Sequence, residues 1–200
     1  MGRIVISEFI SLDGVVQAPG GPEEDTEGGF AHGGWSHAFF DPEVVGGFIN
    51  DAMSRTDALL FGRATWQSMA AAWPDRAGDP LADEMNAIPK YVVSDTLGDA
   101  EVKTWANTTR IPVDEALARV RELRASEGGD VLIMGSPTLV RALLGEGLVD
   151  ELGLIVMPVL LGGGKRLFPD DGVLRTLELV SSVTGATGVN VCVYRPASTA

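Results

Sequence analysis

Short apolar runs in this chain alternate with longer stretches where apolar residues recur every three or four positions, a pattern that predicts strands alternating with helices. Arg3 to Ile10, rich in Ile and Val, predicts a first strand that runs into the turn Ser11-Leu12-Asp13-Gly14. Asp41-Pro42-Glu43 supplies an N-cap, a first-turn proline and an acid, so Val44, Val45, Phe48, Ile49 and Ala52 predict a helix to about Arg55. Ala58 to Phe61 predicts a buried strand, Gly62 to Trp66 a turn capped by Thr65, and Gln67 to Ala72 a helix. Pro74 to Pro89, broken by Gly78 and Pro80, predicts a surface connection with about one helical turn. Lys90 to Ser94 predicts the next strand and Val102 to Thr109 a further short one. Val113, Ala116, Leu117, Val120 and Leu123 then form the apolar face of a helix after Pro112.

The most informative stretch is Asp130 to Phe168. Val131 to Met134 reads as a strand covered on both faces, and Gly135-Ser136-Pro137 as a turn, an N-cap and a first-turn proline. Leu139, Val140, Leu143 and Leu144 give the following helix one apolar face, and Leu152 to Met157 is the next strand. A helix starting just past a strand presents free N–H groups and the positive end of its dipole, which suits a phosphate; the same residues can equally serve only to cap a packed helix. Gly62-Arg63-Ala64-Thr65 offers a second such turn, where Arg63 either meets an anion or makes a surface ion pair. Ser94 sits at a third strand end. Gly162-Gly163-Gly164-Lys165-Arg166 lacks the spacing of a Walker loop. Leu174 to Thr184 and Val189 to Arg195 alternate and predict a C-terminal hairpin.

Composition narrows the function. Two hundred residues at 45% hydrophobic content predict one domain over residues 1–196, with 197–200 as a frayed tail. A formal charge of −13 speaks against nucleic acid or anionic membranes as partners, and no leader or span is recognisable, so a cytoplasmic protein is expected. Cys192 is the single cysteine, and His32 and His37 are the two histidines, five apart in a glycine-rich loop; no metal site is expected. That loop, Gln17 to Phe40, is long enough to be functional, and within it Trp35 and His32 either cover a planar substrate or anchor the loop. Asp13 is either a turn residue or a ligand contact at the rim of the sheet.

Taken together, these pieces resemble one family. Leu59 to Trp66 (LLFGRATW) resembles the strand and turn of the dihydrofolate reductases. Ser11 to Gly14, Gly135 to Leu139, Gly147 to Leu152 and Pro158 to Phe168 resemble the reductase domain of the bacterial riboflavin-pathway deaminase-reductases and their stand-alone relatives. The resemblance implies a dihydrofolate reductase-like α/β fold of three layers: a central mixed, mostly parallel sheet, flanking helices and a C-terminal antiparallel hairpin. It implies NADPH as cofactor. Gly62, Arg63, Thr65 and Ser94 would serve the adenosine 2′-phosphate and the diphosphate, and Gly135, Ser136, Pro137, Thr138 and Leu139 would hold the diphosphate. The backbone around Phe9 and Val16 would face the nicotinamide carboxamide. Hydride would pass to a small heterocyclic or ribosylated substrate, first of all 5-amino-6-(5-phosphoribosylamino)uracil, with Asp13 or water giving the proton.

The chain departs from the pattern in three places. Val44-Val45-Gly46-Gly47 and Ile155 stand where a dihydrofolate reductase grips its pterin, so dihydrofolate is not the expected substrate. The His-x-Glu and Cys-x-x-Cys of the zinc deaminase domain are missing. Ser136 replaces a second glycine. Two alternatives stay open: a reductase of another small molecule, and a non-catalytic nucleotide-binding protein of the same fold. A homodimer is expected from the glycine-rich block, the apolar run Leu152 to Leu161 and the habit of relatives.

Overall fold

Successive side chains of a strand point to opposite faces of a sheet, and here both sets are apolar. Ile4, Ile6, Leu60, Val131 and Ile133 turn to one face, Val5, Leu59, Phe61, Val92 and Leu132 to the other. Both faces must therefore be covered. The computed structural model describes residues 2–76 and 78–197; the tail expected at 197–200 lies outside these from residue 198 on. Strands β1 (Ile4–Ser11), β2 (Thr56–Gly62), β3 (Lys90–Val93), β4 (Thr108–Ile111), β5 (Asp130–Ile133), β6 (Glu151–Met157), β7 (Leu177–Thr184) and β8 (Asn190–Pro196) form one eight-stranded sheet, ordered β4-β3-β2-β5-β1-β6-β8-β7. Strands β4 through β6 in that order run parallel, and β8 and β7 continue the sheet antiparallel as the C-terminal hairpin. The expected mixed, mostly parallel sheet is thus present.

Helices α1 (Val44–Ser54), α2 (Arg63–Ala72), α3 (Pro80–Ala87) and the short α4 (Asp99–Val102) cover one face, contributing Ala52, Met53, Trp66, Met85 and Val102 to its core. Helices α5 (Ala116–Ala125) and α6 (Pro137–Gly145) cover the other with Ala116, Val120, Leu139, Val140 and Leu143. In β6, Gly153 leaves the space that the Phe48 ring of α1 occupies, since a Cβ there would lie 2.4 Å from the ring. Among the described residues no helix is long and apolar enough to cross a membrane.

Several elements differ from expectation. Pro74 to Pro89 holds a two-turn helix, α3, where a surface connection with about one helical turn was expected: Asp79 caps it, Pro80 occupies its first turn, and Ala82 and Met85 are buried. Its C-terminal carbonyls are taken by the fully buried Lys90 ammonium, which bonds Met85 O at 2.8 Å and Ile88 O at 2.8 Å. Desolvation lowers the Lys90 pKa to about 8. Val102 to Thr109 splits into the end of α4 and the start of β4. Of the apolar run Leu152 to Leu161, the part in β6 up to Met157 lies almost wholly buried in the sheet, and Leu160 beyond it is exposed. At the N-terminal ends of the strands, Asp130 and Glu151 are buried and paired with Arg3 at 2.6 and 3.0 Å. This charge cluster staples the sheet at the end away from the site described next.

Candidate cofactor and substrate site

Strands β2 and β5 are neighbours, yet the helices that follow them leave on opposite faces of the sheet: α2 packs with Trp66 on one side, α6 with Leu139 on the other. The divergence opens a crevice past the carboxyl ends of these strands, the place where open α/β sheets bind ligands. Strand lengths deepen it. Register aligns Ile6 with Ile133, the last residue of β5, so β1 continues from Ser7 to Ser11 with only β6 beside it. Phe9 lies in this overhang.

Both helix starts reach the crevice without side-chain caps. Their first N–H groups have no partner within the helix, so the two dipoles and these donors converge on one region. Thr65 is not the cap expected for α2: the helix begins at Arg63, and Thr65 lies within its first turn. Nor does the Ser136 hydroxyl cap α6. It accepts the Gly62 N–H at 2.8 Å and lies 2.9 Å from the Thr65 hydroxyl, tying the two turns together. Contact is tight, since a Cβ on Gly62 would fall 2.3 Å from Ser136 Oγ, and one on Gly135, at φ +95°, 2.8 Å from the Thr65 methyl. Arg63 is exposed, with no ion pair or side-chain hydrogen bond among the described residues. Thr138 is exposed in the first turn of α6, and Leu139 turns into the core. The structure therefore brings Gly62, Arg63, Thr65 and Gly135 to Thr138 together.

Ser94 closes its own turn, accepting the N–H groups of Thr96 and Leu97 at 3.1 Å each. Val16 is buried beside Ile10 and Leu139, and its N–H donates to Lys165 O. Asp13 receives hydrogen bonds from Ser11 Oγ at 2.6 Å and from the N–H groups of Leu161 and Gly162 at 3.1 and 2.8 Å. The Ser11 bond, with those backbone bonds, lowers its pKa to about 2. At neutral pH Asp13 is an acceptor with no proton to give, and the donor role expected of it does not fit this geometry. Its carboxylate instead fastens the turn after β1 to the glycine-rich 158–168 segment.

The 17–40 loop divides its two candidates. Trp35 is buried with Phe30 and Phe39, its indole N–H donating to Gln17 O at 2.8 Å, which makes it an anchor. His32 is exposed and meets the Phe30 ring edge-on at 5.6 Å. It lines an open cleft of about 500 Å³ with Gln17, Glu27, Phe30, Leu161 and Lys165. The Lys165 ammonium is paired there with Asp25 and Glu27 at 2.6 Å each.

One residue escaped the sequence reading. Glu8 lies on β1 in the same row as Ile4, Ile6 and Ile10 and is 6% exposed. Burial pushes its pKa up to about 8, the Gly135 N–H opposes this in part, and the like charge of Glu24 adds to it. A carboxylate inside an Ile row is the signal that marks it.

The sequence model of the RibD C-terminal domain matches residues 3–191, and the chain belongs to that family. It is 28% identical to the uncharacterized protein YyaP of Bacillus subtilis (strain 168) over 96% of this chain and 94% of that one. Among solved structures it superposes on a putative riboflavin biosynthesis protein from Shewanella sp. PV-4 with a TM-score of 0.74 at 21% identity, covering 99% of this chain and 100% of that one. A Thermotoga maritima diaminohydroxyphosphoribosylaminopyrimidine deaminase/5-amino-6-(5-phosphoribosylamino)uracil reductase gives 0.65 at 13% identity, covering 98% of this chain and 57% of that one. Dihydrofolate reductase from Enterococcus faecalis, complexed with NADP(H) and RAB-propyl, gives 0.58 at 17% identity over 98% of both chains. These superpositions establish a dihydrofolate reductase-like fold.

Proposed function

We propose that the protein is an NADPH-dependent oxidoreductase that passes hydride to a C=N or C=O carbon of a small heterocyclic or ribosylated molecule. The observation that carries this reading is the pair of uncapped helix starts meeting between β2 and β5, with the exposed guanidinium of Arg63 beside them. An acidic chain that binds a phosphorylated cofactor needs such a local concentration of donors and positive charge. In this reading Arg63 takes the adenosine 2′-phosphate with Thr65 and Ser94, Gly135 to Leu139 cradle the diphosphate, and the backbone of Phe9 and Val16 receives the carboxamide. The cofactor brings the hydride; the protein brings orientation and exclusion of water. His32 and the cleft around it face the substrate.

The first candidate substrate is 5-amino-6-(5-phosphoribosylamino)uracil, by family membership and by the activity named for the Thermotoga relative in fold. One feature favours the same chemistry on an unphosphorylated molecule. Lys165 is neutralised by Asp25 and Glu27, and Arg166 is held near Asp13, so these cations of the glycine-rich segment are already engaged. A second copy of the chain is the proposed partner. Every residue of β7 is exposed, its outer edge is unpaired, and Leu177, Leu179, Val180 and Val183 share it with one charge, Glu178. In a chain of net charge −13, this nearly uncharged edge is where a like-charged copy can approach.

The test is a tryptophan-fluorescence titration with NADPH and, separately, NADH. Trp66 lies three residues beyond Arg63 on α2, buried in the core beneath that helix. Quenching by NADPH at much lower concentration than by NADH, followed by NADPH oxidation on adding the ribosylaminouracil, is the expected result. Absence of quenching by either nucleotide would remove the reading.

A further inference from the structure

Glu8 lies at the level of the sheet where β5 gives way to the start of α6. The register that pairs Ile6 with Ile133 places Glu8 level with Gly135, at the point where the chain leaves the sheet for α6. Register between β2 and β5 places Gly62 on that same level from the other side. The floor of the crevice is thus a row of Glu8, Gly135 and Gly62, with the helix starts above it. Glu8 points to the α6 face, among Ile6 and Ile10, where a structural role would be filled better by another aliphatic side chain. No cation is paired with it among the described residues; the groups that face it are the Gly135 N–H and, from the 17–40 loop, Glu24. Glu24 is itself bound to the Gly20 N–H at 2.6 Å. The other buried carboxylates are compensated: Asp130 and Glu151 each have an arginine partner, and Asp41 accepts the N–H groups of Glu43, Val44 and Ala186.

We propose that Glu8 is the proton donor of this site, holding a neutral carboxylic acid against the bound ligand and giving its proton to the substrate atom that gains electrons. The role rests on the reductase reading. As hydride reaches the carbon of the C=N or C=O bond, that bond's π pair passes to nitrogen or oxygen, which takes the Glu8 proton. The nicotinamide is oxidised, the substrate carbon is reduced, and Glu8 is left as a carboxylate that water reprotonates. The Gly135 N–H and the start of α6 make the transient anion tolerable, while burial keeps the resting group neutral. This assignment also fills the place that Asp13, an ionised acceptor, leaves open.

Infrared difference spectroscopy of the whole protein against Glu8→Gln tests it, with fluorescence titration on the same samples. The expected result has three parts. A carboxylic-acid carbonyl band present at neutral pH is missing in Glu8→Gln and disappears from the native protein as pH rises past about 8. NADPH shifts that band, because the ligand touches the group. Where the ribosylaminouracil oxidises bound NADPH, Glu8→Gln slows the single-turnover rate by roughly a hundredfold with NADPH affinity retained, and Glu8→Asp recovers part of it. Lack of the band at neutral pH, or a band that NADPH leaves unmoved while tryptophan quenching shows binding, would overturn the role of Glu8 alone. Lack of quenching in the native protein would overturn the reductase reading and this role with it, while the pH titration of the band would still report the state of Glu8.

Discussion

Ser136 Oγ and Thr65 Oγ1 lie 2.9 Å apart, joining the starts of two helices that leave neighbouring strands on opposite faces of the sheet. Ser136 reaches this position in a left-handed conformation, φ 68° and ψ 77°, which costs an L-residue roughly 1–2 kcal/mol. The bond it accepts from Gly62 offsets that strain. Ser136→Ala keeps the strain and leaves the Gly62 N–H without its partner, so urea denaturation should show a loss of about 1–3 kcal/mol. Ser136→Gly loses the same bond and releases the strain, and should be more stable than the alanine variant by about 1 kcal/mol. Equal stability of the two variants would mean that the left-handed turn is not strained.

Arg63 has no partner among the described residues, so its removal should leave stability nearly unchanged. Its loss should act on the ligand. A charge-assisted bond to a phosphate contributes about 1.5–3 kcal/mol, so Arg63→Ala should weaken NADPH binding by roughly 10- to 150-fold. NADH lacks the 2′-phosphate, and its affinity should change little. An equal loss for both nucleotides would place Arg63 on the diphosphate instead.

Arg63 lies in a stretch whose spacing alone is informative. Gly62-Arg63 after a short apolar run and Gly135-Ser136-Pro137 after another marked two strand-to-helix turns, because strand length, glycine and first-turn proline are local signals. That the turns meet was not legible, since Gly62 and Ser136 are 74 residues apart and only the strand order brings β2 beside β5. Helix α3 was hidden for the opposite reason: its prolines read as breakers, whereas Pro80 starts the helix and the Lys90 side chain, folded back from β3, closes it. For Trp35 the sequence left substrate cover and loop anchor open, and the anchor role is decided by long-range packing that no window of sequence contains.

Asp13 fastens the glycine-rich segment through an ionised carboxylate whose pKa lies near 2, below the usual carboxylate value. A depressed pKa gives stability that is present above the unfolded value of about 4 and is lost as pH falls toward 2. Asp13→Asn keeps the size of the side chain and removes the charge, so it should flatten that acid limb in thermal melts. It should also reduce turnover through a loosened 158–168 segment, with NADPH binding nearly intact. Unchanged turnover would show that this segment needs no anchor for catalysis.

The β7 edge predicts the assembly state. Replacing Leu179 and Val183 with lysine puts charge on an edge strand that has none on those side chains, which is how natural edges avoid pairing. Sedimentation should show the native protein as a dimer and the double variant as a monomer, with NADPH binding unaltered because three strands separate the edge from β5 in the sheet order. A native protein that sediments as a monomer would remove the proposed contact.

Glu8 gives the opposite pH dependence to Asp13, and the contrast separates them. Its pKa in the folded protein is raised to about 8 from a usual 4.5, so between these values the folded state binds a proton that the unfolded chain has released. Stability then falls as pH rises through this window and levels off above it. The burden of burying this acid is on the order of a few kcal/mol at the upper end of the window. Glu8→Gln is neutral at every pH and close in shape, so it should match the native protein near pH 4.5 and exceed its stability by this amount at pH 8 to 9. Denaturant unfolding of the two proteins across that range measures the difference directly. Parallel curves would mean that Glu8 is ionised in the folded state at neutral pH, and that the crevice admits enough water to hold the charge.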